Sequence, residues 1–136
     1  MFNFTVYRKF VNTNSGRRVL LRPLLPEDTE RLQRLFLEAP EEDSRYLKDN
    51  VRDPALIAHW TANPNYEKVF PLVAHCEDRL VGDCTLHLGR GVTRHIGTVR
   101  IFLAPDYRGV GLGSKMIQEA EEIAHKIGLK FLTAEV

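Results

Sequence analysis

Apolar positions along this chain fall into two rhythms, one of alternation and one of helical recurrence, and these divide it into elements. Arg17–Pro23 carries an apolar run halted by a proline and reads as a strand. Pro26 suits a first helical position, and Glu27, Asp28 and Glu30 sit where the helix dipole favours acid. Leu32, Leu35 and Phe36 then recur at helical spacing, although Leu25 is a poor cap for such a helix. Residues 40–67 are the least regular, with short helical turns predicted at Glu41–Lys48 and from Asp53. Val69–Cys76 and Arg79–Leu88 form a hairpin pattern, and His95–Leu103 reads as a third strand reached through Gly89-Arg90-Gly91. Leu112, Met116, Ala120, Ile123 and Ile127 make one helical stripe, which leaves Glu119, Glu121 and Glu122 on the solvated side. Gly128 ends that helix, and Lys130–Val136 is a last strand. Strand, helix and strand across 99–136 imply a parallel crossover.

The 136 residues suit one domain with a core of its own. A net charge of +1 gives no reason to expect nucleic acid or an anionic membrane as partner. No apolar run approaches the roughly 20 residues that span a bilayer. Nor does Met1-Phe2-Asn3-Phe4 open like a secretory signal. Cys76 and Cys84 make no disulfide framework. With a tight turn at 77–79, residue 76 pairs near 81 and residue 84 near 73, which puts the two thiols on opposite faces. Buried, reduced thiols in a cytoplasmic protein are the expectation.

The chemistry concentrates in VRIFLAPDYRGVGLGSKMIQ, residues 99–118. A strand breaks at Ala104-Pro105-Asp106, then Arg108, Gly109, Gly111 and Gly113 lead directly into a helix. Glycines there let bare backbone approach a ligand, and the free N–H groups of the helix head favour an anion. Arg108 adds a side chain suited to phosphate. A nucleoside-triphosphate loop is excluded because Lys115 follows Ser114 instead of preceding it. The dinucleotide fingerprint fails in both registers, at Ser114 and at Met116. Packing of the helix onto the sheet is the competing explanation for the glycines.

Arg108-x-x-Gly111-x-Gly113, after a strand and a Pro-Asp-Tyr turn, closely resembles motif A of the GCN5-related N-acetyltransferase (GNAT) superfamily. Leu20-Leu21-Arg22-Pro23 with Pro26-Glu27-Asp28 resembles that family's first strand and helix, and Leu80-Val81-Gly82 its following hairpin. The resemblance implies a mixed α/β (α+β) fold with a mostly antiparallel sheet, helices on both faces and one parallel crossover. It also implies an acyl-CoA site. Backbone groups of Ile101, Phe102 and Leu103 would meet the pantetheine arm, and Arg108, Gly109, Val110, Gly111, Leu112, Gly113 and Ser114 would hold the pyrophosphate. Acetyl transfer from acetyl-CoA to the amine of a small molecule or peptide, by direct attack, is the implied reaction. Arg45, Tyr46, His59, Trp60 and Tyr66 could line the acceptor cleft, although simple packing also explains Tyr46 and Trp60.

The sequence stops at the family's fifth strand, so a final helix and two strands (motif B) and their usual tyrosine acid are expected to be missing. A fragment, completion by a second copy in a homodimer, and a non-catalytic acyl-CoA-binding domain are the alternatives. His87, His95 and Glu135 are candidate bases, and Tyr107 a candidate acid whose place in a turn favours packing. No spacing suggests a metal site.

Overall fold

A computed structural model describes residues 3–38 and 69–135. The helical turns expected at 41–48 and from 53, and the proposed cleft residues Arg45, Tyr46, His59, Trp60 and Tyr66, lie outside the described residues. Six strands form one sheet in sequential order. They are β1 (Lys9–Asn12), β2 (Arg18–Pro23), β3 (Val69–Cys76), β4 (Arg79–Leu88), β5 (Ile96–Leu103) and β6 (Phe131–Glu135). Neighbours are antiparallel through β5, and β6 joins β5 in parallel. Helix α1 (Thr29–Leu37) follows β2, and α2 (Leu112–Lys126) makes the crossover between β5 and β6.

The two helices cover opposite faces, as the alternation of β4 and β5 requires. A Cβ placed on Gly82 would lie 2.9 Å from the Met116 sulfur, and the Cys84 thiol points at the Met116 carbonyl, so these positions face α2. Phe102, one pleat over, packs edge-on against Phe36 of α1 with ring centroids 5.2 Å apart. Leu21, Leu72, Leu86, Leu112, Met116 and Ile123 anchor the core.

Several sequence expectations change in detail. β1 escaped notice because its KFVN residues are mostly exposed and carry no apolar alternation. Pro26–Asp28 is a 3-10 turn and α1 begins only at Thr29. The missing cap at Leu25 is supplied from the other end, by the Asp28 carboxylate accepting the Leu25 N–H at 2.8 Å. Glu119 is not solvated: it is 6% exposed, accepts from Lys9 Nζ at 2.7 Å, and also accepts from the Tyr7 hydroxyl. Ile127 is only partly buried, and Ala124 takes its place in the stripe.

The thiols are free and buried as expected, but they share a face. A bulge leaves Val81 unpaired, so Cys76 pairs with Arg79 and Cys84 with Leu72. Cys76 is four positions from Leu72 on β3, hence on the same side, but about 13 Å from Cys84 along the strand.

The tie between β2 and α1 is ionic. Arg22 donates to both Asp28 oxygens at 2.7 and 2.8 Å, in a pair exposed by only 6% and 0% at the two side chains. Burial alone would raise the Asp28 pKa, but the bonds from Arg22, the Leu25 N–H and Arg31 outweigh it and hold the carboxyl below its usual range. Removing one partner strands a buried charge. Arg22→Met should therefore cost about 3–5 kcal/mol in urea unfolding, and adding Asp28→Leu should restore most of it. Because the folded pKa is depressed, the stability that Asp28 contributes is present above about pH 4 and fades as pH falls below it, which unfolding at stepped pH would show.

Candidate functional site

The loop after β5 is braced before it reaches the helix. Ala104 N–H closes the strand onto the Val81 carbonyl at 2.9 Å. Pro105–Tyr107 then makes a 3-10 turn. Tyr107, 3% exposed, receives a bond from Arg17 at 3.1 Å, and the Arg17 and Arg79 guanidinium carbons stand 5.6 and 5.7 Å from its ring centroid. Arg79 also grips both Asp106 oxygens at 2.8 and 2.9 Å. Tyr107 is thus a packed strut, the role its place in the turn suggests.

Gly109 and Gly111 have φ of 74° and 84°, the left-handed region that disfavours side chains, and Gly111 caps α2 without any side-chain bond. The first i→i−4 bond of α2 runs from Lys115 N–H to the Gly111 carbonyl at 3.3 Å. The N–H groups of Leu112, Gly113 and Ser114 therefore precede the helical ladder, at the positive end of the dipole. The β1–β2 turn clasps this loop from behind. Asn14 N–H donates to the Val110 carbonyl at 2.7 Å, its side-chain amide lies 2.9 Å from where a Gly111 Cβ would be, and Lys115 Nζ donates to the Asn12 carbonyl.

Beside the loop, β5 offers backbone. The bonds Ala104 N–H to Val81 and Gly89 N–H to Ile96 fix the ladder at both ends, so the even-numbered residues of β5 bond to β4. The N–H and C=O of Ile101 and Leu103 point to the opposite edge. There β6 pairs with β5 only from Ile96↔Phe131 to Arg100↔Glu135, a last pair closed by the Ile101 N–H, which leaves the Ile101 carbonyl and the Leu103 N–H without a strand partner among the described residues. Arg108 lies across this edge. Its Nε donates to the Leu103 carbonyl at 3.2 Å, and its guanidinium stands 5.6 Å from the Phe102 ring centroid. Phe102 itself turns its backbone to β4 and its side chain to α1.

Two of the three proposed bases, His95 and His87, lie away from this place, whereas Glu135 ends β6 beside it. His95 sits in the turn before β5, where its carbonyl accepts from Lys130 and Phe131 at the far end of the strand. His87 pairs with Thr98 near the same end, and Glu135 pairs with Arg100 on β6. A carboxyl that sequence reasoning missed lies on the other side of β5, on β4. Asp83, opposite Phe102, projects to the α1 face and accepts a bond from the Thr85 hydroxyl at 2.7 Å. Desolvation pushes its pKa up to about 6, against the lowering effect of Thr85. An Asp inside the apolar run Leu80-Val81-Gly82-Asp83-Cys84 was the available signal. The neighbouring Cys84 thiol is pushed up to about 12 by burial, so it is no nucleophile at neutral pH. Among the described residues no group of three acidic, His or Cys side chains could hold a metal, and no helix is long and apolar enough to cross a membrane.

The sequence profile of the Acetyltransferase (GNAT) family matches residues 25–136. The chain belongs to that family. It is a GNAT-type acyltransferase by this membership, and its fold agrees. The GNAT domain of S. lividans PAT is 18% identical, with a TM-score of 0.79 over 95% of this chain and 78% of that one. A ribosomal-protein-alanine N-acetyltransferase from Brucella melitensis is 24% identical, with a TM-score of 0.70 over 84% of this chain and 72% of that one. The paia N-acetyltransferase from Thermoplasma acidophilum, solved in complex with coenzyme A, is 19% identical, with a TM-score of 0.65 over 82% and 74%. No curated protein sequence matches the chain.

The raised pKa of Asp83 has a stability consequence with a definite sign. The folded chain holds the proton more tightly than the unfolded one, so the carboxylate destabilises the fold above about pH 6, and the penalty vanishes as pH falls towards about 4. Asp83→Asn should therefore stabilise the protein by on the order of 2 kcal/mol at pH 7–8, with no gain at pH 4, in denaturant unfolding at both pH values.

Proposed function

We propose that this chain transfers the acetyl group of acetyl-CoA to an amine. The observation that carries the reading is one continuous run of unused backbone groups. The outward carbonyl of Ile101 and N–H of Leu103 lead to the N–H groups of Leu112, Gly113 and Ser114 at the head of α2. No Cβ intrudes at Gly109, where nothing lies within 4 Å of the vacant position. A linear thioester with amides in its arm and a pyrophosphate at its end has the complementary sequence of groups. The arm adds to β5 as a strand would, and the diphosphate meets the helix head. Arg108 supplies the cation beside it.

In this arrangement Leu103 and Ile101 position the thioester at the open edge, where a backbone N–H polarises its carbonyl. The acceptor amine attacks the carbonyl carbon directly, and thiolate departs. Much of the rate comes from holding the two reactants in line. Small-molecule and peptide amines are the acceptor class. Structural neighbours named for ribosomal-protein alanine and for an aminoglycoside support starting with those two chemistries. The buried, reduced thiols support a cytoplasmic setting.

Thermal-shift titration tests the ligand. Acetyl-CoA should raise the melting temperature saturably, equivalent to about 2.7 kcal/mol at a hundredfold excess over Kd, while ATP and NAD should not. Ser114→Pro removes a donor that makes no intrahelical bond and is tolerated in a first turn, so it should fold and yet lose most of that shift. Ser114→Ala keeps the N–H and should retain it. Equal shifts in both variants would show that the helix head does not hold the ligand.

A further inference from the structure

The two faces of the central sheet are chemically unlike. Toward α2, β4 and β5 present Gly82, Cys84, Leu86, Val99, Ile101 and Leu103. Toward α1 they present Asp83, Thr85, His87, Thr98 and Arg100 before the apolar Phe102. Packing of a sheet face against a helix has no need for a carboxyl at its centre. Asp83 is only partly exposed, and among the described residues its hydrogen-bond partner is the Thr85 hydroxyl. One donor leaves most of the carboxylate's acceptor positions open. Through the register Asp83↔Phe102, this carboxyl lies one strand from the Ile101–Leu103 edge.

Resting on the acetyl-CoA reading above, we propose that Asp83 is the catalytic base: its carboxylate seats the acceptor as an ammonium on the α1 face of the sheet and takes its proton, directly or through one water. The ammonium gives one proton to Asp83 and becomes the free amine. Its lone pair then forms the C–N bond to the thioester carbonyl carbon while the C–S bond breaks. The second amine proton goes to the departing thiolate, giving amide and free thiol. Asp83 finally releases its proton to solvent.

Among the described residues, the other charged and titratable groups on the elements around Asp83 are placed for different tasks. His75 on β3 has its pKa held down by burial and by Arg22 and Arg31, against the opposite pull of Asp28 and Asp78. Arg31 is bonded to Asp28 and Asp78, Glu38 to Arg79, and Arg34 is exposed on α1. His87 lies four positions along β4, about 13 Å away. Arg100 faces Thr85 across the ladder, and Arg108 stands over Phe102. None of them lowers the proton affinity of Asp83 enough to offset its desolvation, which gives the carboxyl basicity near neutral pH.

The test begins with acetyl-CoA binding by thermal shift for wild type, Asp83→Asn and Asp83→Glu. All three should bind alike. A wild-type chain that gives no shift overturns the acetyl-CoA reading, and not the assignment of Asp83 as such. Thiol release is then followed over pH 5–9 with three amines: an N-terminal-alanine peptide, 1,4-diaminobutane and an aminoglycoside. In wild type, kcat/KM should rise with pH through an apparent pKa near 6. Asp83→Asn should lose about 100-fold or more in kcat and lose that limb, while Asp83→Glu should regain part of both. An Asp83→Asn variant within about threefold of wild type, with the same limb, overturns the proposal. If none of the three amines turns over, the carboxyl carbon-13 signal of Asp83 decides. Its titration midpoint should fall when 1,4-diaminobutane is added to the CoA-saturated chain, and an unmoved midpoint overturns the proposal equally.

Discussion

The constraint on which this molecule turns is the alternation of β5. Within a paired strand, successive residues reverse both their side chains and the direction of their backbone bonds. Even positions from Thr98 to Phe102 give their backbone to β4 and their side chains to the α1 face. Odd positions give their side chains to the Met116 face and their backbone to the β6 side, which stands open beyond Arg100 among the described residues. A slip of one residue would close the Ile101 and Leu103 groups against β4 and bring Phe102 to the edge. It would also bury Arg100 under α2. The site is therefore a property of register, and the apolar face against α2 is what fixes that register.

Two aspartates show how one residue type is put to opposite uses. Asp28 is enclosed but receives a bidentate guanidinium and a backbone N–H, and it remains ionised as a structural tie between β2 and α1. Asp83 is desolvated, with the Thr85 hydroxyl as its hydrogen-bond partner among the described residues, and its proton affinity rises. The difference lies in the partners supplied, not in depth of burial. A fold that could have placed an apolar residue at position 83 instead carries a group that weakens it near neutral pH.

Much of this architecture was legible from residue order. The β3–β4 hairpin, β5, the glycine loop and α2 follow from alternation, from turn residues and from a four-residue apolar recurrence, all of them local signals. What escaped was non-local. β1 is held by pairing to β2 and by Tyr7 and Lys9 reaching Glu119, more than a hundred residues away, so its own composition is silent. Glu119 reads as solvated on any helical wheel until those partners are known. The Asp28 cap reaches backwards across a 3-10 turn, which a search for a polar residue at the cap position passes over. His87 and His95 drew attention by residue type, yet register places them at the far end of the sheet. Asp83 was visible as a break in an apolar run, but its significance depends on knowing that the strand's two faces differ.

The clasp of Asn14 on the glycine loop has a wider consequence. The segment shared with the family starts at residue 25, whereas the turn that backs Val110 and Gly111 lies before it. The shape of the most family-typical stretch of this chain is thus partly set by a turn that lies outside the matched segment. Evolution can retune how such a loop holds its ligand by remodelling an N-terminal hairpin, while every letter of the signature stays unchanged.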